Sequence, residues 1–173
     1  MNDKIALLGI VEILSALSCG IAILFITYKG LKVYGKNKLG IDKPNLAYNI
    51  FLAATLFSVG YVVSGVIQPI LDSFRILSNT NISKTQLILN FVLYGGLYIL
   101  VAYIFSLIVV FLGVFIYKSM TTVDEFKELK DNNIGVAIVL AVIIVTLALM
   151  TNDGIALLIE SFIPYPDLPV KIH

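Results

Sequence analysis

Glu12, Asn49, Gln68, Asn90, Asn152 and Asp153 carry polar or ionisable groups inside long apolar stretches, so any chemistry there falls to them first. A carboxylate in such surroundings is costly and by default marks a path for ions or protons, with Glu12 and Asp153 as the acids. The amides have a commoner use as hydrogen-bonding packing devices between helices. Glu12 also has a plainer reading, as a wetted or protonated side chain near a membrane edge. The one His is the last residue, His173, so the apolar stretches hold no histidine base or ligand cluster. No Gly-rich phosphate loop, nucleophile elbow or paired-carboxylate constellation is visible. A single Cys, Cys19 in "LSALSCG", excludes an internal disulfide and a Cys-based metal site, and reads as a buried thiol. The expectation is a protein that is not an enzyme and holds no cofactor or metal.

Four apolar runs must position these residues: Ile5 to Tyr28, Leu46 to Leu71, Leu87 to Tyr117 and Ile134 to Ile163. Each exceeds the ~20 residues a helix needs to cross a hydrocarbon core of about 30 Å. The chain is 59% hydrophobic and 13% charged, about half the charged content of soluble domains. The fold class expected is all-α: an integral membrane four-helix bundle, one transmembrane domain over 1–173, with helices at about 5–28, 46–71, 87–117 and 134–163. The first run is kept as a spanning helix, because Glu12 interrupts it and no small-residue cleavage site ends it.

The lysines set the orientation. Lys29, Lys32, Lys36, Lys38 and Lys43 lie between the first two helices, and Lys118, Lys127 and Lys130 between the last two. Basic loops stay in the cytoplasm, which places loops 29–45 and 118–133 inside and both termini outside. A net charge of +1 gives nucleic acid no electrostatic footing. The lipid bilayer is the expected partner, with a homo-oligomer or another membrane protein beside it.

"NLAYNIFLA", Asn45 to Ala53, is echoed 88 residues later by "NIGVAIVLA", Asn133 to Ala141. At the same offset Ser58 falls on Thr146, and "DSF" at 72–74 falls on "ESF" at 160–162. The unit of helix, loop and helix therefore occurs twice, over about 5–74 and 87–163. Each unit crosses the membrane an even number of times, so the two-helix repeats are parallel.

Asn45 and Asn133 stand where the second and fourth helices begin and are suited to cap them. A sharper alternative is an anion or headgroup site between the two positive helix ends. "TVDE", Thr122 to Glu125, reads as a capping box opening a short interfacial helix, with Val123, Phe126 and Leu129 on one side and its acids in water. Ala16 and Gly20, Gly60 and Ser64, and Ala137 and Ala141 are small pairs four apart, spaced for close helix approach. The long third run implies tilt, a kink at Gly95–Gly96, or extension beyond the bilayer.

"NLAYNIFLA", "DEFKELKDNNIGVAIVLA" and the two-by-two helix pattern resemble the bacterial inner-membrane proteins catalogued as domain of unknown function 350. The resemblance implies four spans in two halves, each with an Asn just before a helix rich in small residues. The family's usual Gly before each Asn is Pro44 and Asn132 here, and Tyr48 and Asn49 replace small residues. It implies a fold and a location, not an activity. The function expected is that of a structural or assembly component acting through helix packing and oligomerisation. The alternative is a small channel or ion-coupled transporter using carboxylates near the outer face.

Overall fold

The computed structural model describes residues 3–43, 45–78 and 84–162, and among them the regular secondary structure is all helix. Four helices are long and apolar enough to cross a membrane. They are α1 (Asp3–Leu39), α2 (Leu46–Ser64) continued by α3 (Ile67–Ser78), α4 (Lys84–Met120) and α6 (Ile134–Glu160), with the short α5 (Glu125–Lys130) before α6.

Helix boundaries depart from the apolar runs, each for a local reason. α1 does not stop at Tyr28 but carries Lys29, Lys32, Lys36 and Lys38 on its exposed face. Leu31, Gly35 and Leu39 recur every fourth residue and turn inward, so one side of this extension stays on the bundle. Gly40, at φ +66°, ends it in the left-handed region glycine tolerates. The expected loop 29–45 thus shrinks to a few residues. α4 likewise overruns its apolar segment at both ends and passes Gly95–Gly96 without interruption.

The second span, expected as one helix over 46–71, is two. Pro69 has no amide hydrogen, and its ring would meet the carbonyl of Gly65 four residues earlier. The backbone tightens there: the Gly65 amide is shared between Tyr61 and Val62 carbonyls, and Val66 donates to Val63 at 3.2 Å. The short α5 is also capped differently from expectation. Asp124, not Thr122, is the N-cap, accepting from Phe126 and Lys127 amides at 3.1 and 3.2 Å. α6 ends at Glu160 rather than at 163.

α2 is the central element. α6 lies beside it in the same direction, since Ala47 meets Asn132 at one end and Gly65 meets Asn152 at the other. α4 runs opposite to both, with Gly95 against Ile70 and Gly113 against Ile144. A Cβ on Gly113 would lie 2.7 Å from Ile144 Cγ1 and 3.3 Å from its Cα, so the bare glycine lets α4 reach the backbone of α6. The seam is filled by Val59, Val62, Val66, Ala102, Val109, Leu140, Ile144 and Ala148. Ala137 is fully buried and Ala141 half-buried.

α1 is held from one side. At its lysine-bearing end the Tyr48 hydroxyl donates to the Leu31 carbonyl at 2.7 Å, and nearer the middle Leu24 rests on Gly60. α2 and α6 run parallel, as the second and fourth of four successive spans must, and the outer helices differ: α4 packs on both α2 and α6, whereas α1 leans chiefly on α2.

Candidate functional site

The densest polar geometry lies where the two inter-helix connections meet. Asn45 caps α2 by accepting from the Tyr48 amide at 2.8 Å. Its amide group also donates to the carbonyls of Leu129 and Lys130, both at 2.9 Å, in the last turn of α5. Asn133 caps α6 by accepting from Val136 at 3.2 Å and donates to Glu128 Oε2 at 2.7 Å. Between them Asn132 accepts from the Ala47 amide at 3.0 Å. Three asparagines thus clasp α2, α5 and α6.

α5 closes with a Schellman turn. The Asn133 amide donates to Glu128 at 2.9 Å and the Asn132 amide to Leu129 at 3.3 Å. This requires a left-handed residue at 132, and Asn132 supplies it at φ +62°. Asn132→Gly is expected to keep the turn and lose only the bond to Ala47, about 1 kcal/mol, whereas Asn132→Ala adds left-handed strain of about 1 kcal/mol more. Thermal unfolding of the two variants in detergent measures the difference.

The clasp overturns the anion-site alternative at α2. The Ala47 and Tyr48 amides are already bonded to Asn132 and Asn45, and the Glu128 carboxylate reaches the asparagine that caps α6. The acids of α5 are not all in water either. Glu125 is buried and its Oε2 has no partner among the described residues, because Leu129, also buried, seats the short helix beneath the bundle.

Among the described side chains the intramembrane candidates do not converge on one site. Asn49, Gln68 and Asp153 are exposed on the outside of α2, α3 and α6, and Asn90 is half-buried on α4. The side chain of Glu12 lies outside the described residues. Only Asn152 points into the packing: it sits against Gly65 at the interruption between α2 and α3, with its Oδ1 buried and without a partner. Its Nδ2 lies 3.4 Å from Asp153 Oδ1.

Sequence reading missed two hydroxyls deeper in the bundle. Thr55 and Ser58 are fully buried, yet Oγ1 and Oγ have no partner among the described residues. Elsewhere Thr27, Ser73 and Thr151 donate to the carbonyl four residues earlier. Ser58 follows Ala47 by eleven residues and precedes Gly65 by seven, which places it on the face of α2 turned to α6. Its counterpart in the echo, Thr146, is exposed, so the matched positions do different things. An unpaired buried hydroxyl carries a desolvation cost of about 1–3 kcal/mol, so Thr55→Val and Ser58→Ala are each expected to raise stability by about 1 kcal/mol in detergent unfolding.

A family model described as Domain of Unknown Function (DUF350) matches residues 5–155, most of the chain. The chain belongs to the DUF350 family. No curated protein and no solved structure matches it. Within this DUF350 protein the described residues contain no group of three or more His, Cys, Asp or Glu side chains placed to hold a metal ion. What the arrangement does provide is a mechanical junction at one end and a tightly packed apolar seam above it.

Proposed function

We propose that this DUF350 protein is a non-enzymatic component of a bacterial inner membrane, assembling with itself or with other envelope proteins through its helix faces. The observation that carries this reading is the dispersal of the polar candidates: Asn49, Gln68 and Asp153 lie on outward faces, around a seam of valine, alanine, leucine and isoleucine. A conducting path or active site needs such groups to meet. The lysine-bearing end faces the cytoplasm and both termini face out, because eight of the 12 basic residues flank the two connections that the asparagine clasp brings together. The parallel halves are read as a tandem duplication.

Cross-linking in native membranes followed by purification is expected to give a defined homo-oligomer or a stoichiometric membrane partner. A monodisperse monomer without a partner would sink the proposal. A second reading, a channel or ion-coupled carrier, draws on the unpartnered oxygens of Thr55, Ser58 and Asn152. It requires the purified chain in liposomes to pass an ion or solute, with the flux altered by Glu12→Gln.

A further inference from the structure

We propose that Lys29, Lys32 and Lys36 form a site on α1 for the headgroup phosphates of an anionic phospholipid. In a loop these lysines would do no more than set orientation; on a helix that continues to Leu39 they acquire a fixed arrangement. At 3.6 residues per turn the three fall within about 60° of one another, and Phe25 shares their stripe. All four side chains are exposed. The neighbouring side of α1 is held on the bundle by Leu31, Gly35 and Leu39 and by the 2.7 Å bond from the Tyr48 hydroxyl to the Leu31 carbonyl, so the stripe is presented outward on a seated helix.

Its charge is not neutralised within the chain. From Leu14 to Leu39 there is no Asp or Glu, and the acids at this end, Asp42, Asp124, Glu125, Glu128 and Asp131, belong to the connections and α5. Among the described residues no carboxylate pairs with any of the three lysines. Lys29 Nζ lies instead 5.6 Å from the centroid of the Phe25 ring, and Lys32 Nζ 6.0 Å from that of Tyr28. Both contacts run back to the residue four positions earlier, which turns the ammonium groups toward the end of the apolar run.

Depth decides between lipid and an acidic soluble protein. With Tyr28 at the edge of the hydrocarbon, the Cα atoms of Lys29, Lys32 and Lys36 fall about 1.5, 6 and 12 Å beyond it. The headgroup layer is about 5–7 Å thick on each side. Lysine side chains on a helix lean toward its N-terminus, here back toward the membrane, so the Lys36 ammonium also approaches the phosphates. A soluble protein would have to enter that layer to reach Lys29 and Lys32, whereas lipid phosphates already occupy it. Lys38, about 15 Å beyond the edge and on the opposite flank of the line through Leu31, Gly35 and Leu39, is outside the site.

The test equilibrates the full chain in mild detergent with equal amounts of dioleoyl phosphatidylglycerol and dioleoyl phosphatidylcholine, repurifies it and counts the bound lipids by mass spectrometry. The anionic lipid is expected to be preferred about tenfold or more, and salt near 1 M, where the Debye length is about 3 Å, should abolish the preference. Lys32→Gln is expected to lower the preference about fivefold, and Lys38→Gln, which removes the same charge, less than about twofold. Lys29→Arg, Lys32→Arg and Lys36→Arg together keep the charge and should keep the preference. In the unmodified chain, Lys29 and Lys32 are expected to acylate more slowly in nanodiscs of the anionic lipid than in nanodiscs of the zwitterionic one, with Lys38 alike in both. No preference for the anionic lipid, equal losses from Lys32→Gln and Lys38→Gln, or an acidic protein held by these lysines in place of lipid would each overturn the proposal.

Discussion

Asn45→Asp is expected to destabilise the chain by about 2 kcal/mol, whereas Asn133→Asp, at the echoed position, costs under about 1 kcal/mol. As caps the two asparagines are alike, and aspartate caps a helix as well as asparagine does. The difference lies in the other half of each amide. Asn45 donates two bonds of 2.9 Å to the Leu129 and Lys130 carbonyls, and Leu129 is fully buried. Aspartate there loses both donors and turns a carboxylate oxygen toward two carbonyl oxygens. Each lost bond is worth about 1 kcal/mol, and the Leu129 carbonyl keeps the Asn132 amide as its other donor. Asn133 instead donates to Glu128 in an exposed position, where the like-charge contact created by aspartate is screened by water. Thermal unfolding in detergent compares the two, and amide exchange in α5 should rise only for Asn45→Asp. Equal losses at both positions would mean that α5 is not held by Asn45.

The same clasp shows where the sequence was readable and where it was not. Asn45 and Asn133 announce helix starts because an N-cap is a local device, set by one side chain and the amides two or three residues on. The hold of Asn45 on α5 is not local: it spans 84 residues and depends on how α5 docks. Asn132 carried a usable signal. Gly is usual at that position in the resembling proteins, and a position that prefers Gly in a tight connection points to a left-handed residue, as φ +62° shows.

The four spans were legible from run length alone, since about 20 apolar residues leave the backbone no other way to satisfy its hydrogen bonds in lipid. Their ends were not, because a helix does not stop at the edge of a bilayer. α1 continues for as long as Leu31, Gly35 and Leu39 keep a face against the bundle and neither proline nor a left-handed glycine intervenes. The interruption at Gly65 was available in Pro69, whose clash falls four residues upstream. The facing of Asn49, Gln68 and Asp153 was hidden for a different reason. A helix apolar on all sides has no hydrophobic period to reveal which side meets its neighbours, and α2, α4 and α6 are of that kind.

Gly35→Ala is expected to destabilise the chain by about 2 kcal/mol, while Gly30→Ala, five residues earlier on the same helix, stabilises it by about 0.5–1 kcal/mol. Replacing a helical glycine by alanine ordinarily helps, because it removes backbone freedom from the unfolded chain. That gain stands at Gly30, where a new methyl meets nothing within 4 Å. At Gly35 the methyl would lie 2.5 Å from the Tyr48 hydroxyl, 2.7 Å from Cζ and 2.9 Å from Cε1. The ring has little room to retreat, being buried and tied by its hydroxyl to the Leu31 carbonyl at 2.7 Å. Overpacking a fixed neighbour costs about 1–3 kcal/mol, more than the propensity gain. A double-mutant cycle separates the collision from other effects. Tyr48→Leu removes the obstructing ring, so Gly35→Ala made in that background should recover its favourable sign, with a coupling of about 2 kcal/mol between the two positions. α1 leans chiefly on α2, so the same collision should also loosen α1, read as faster amide exchange from Tyr28 to Leu39. Equal responses at Gly30 and Gly35 would mean that α1 is not seated on Tyr48.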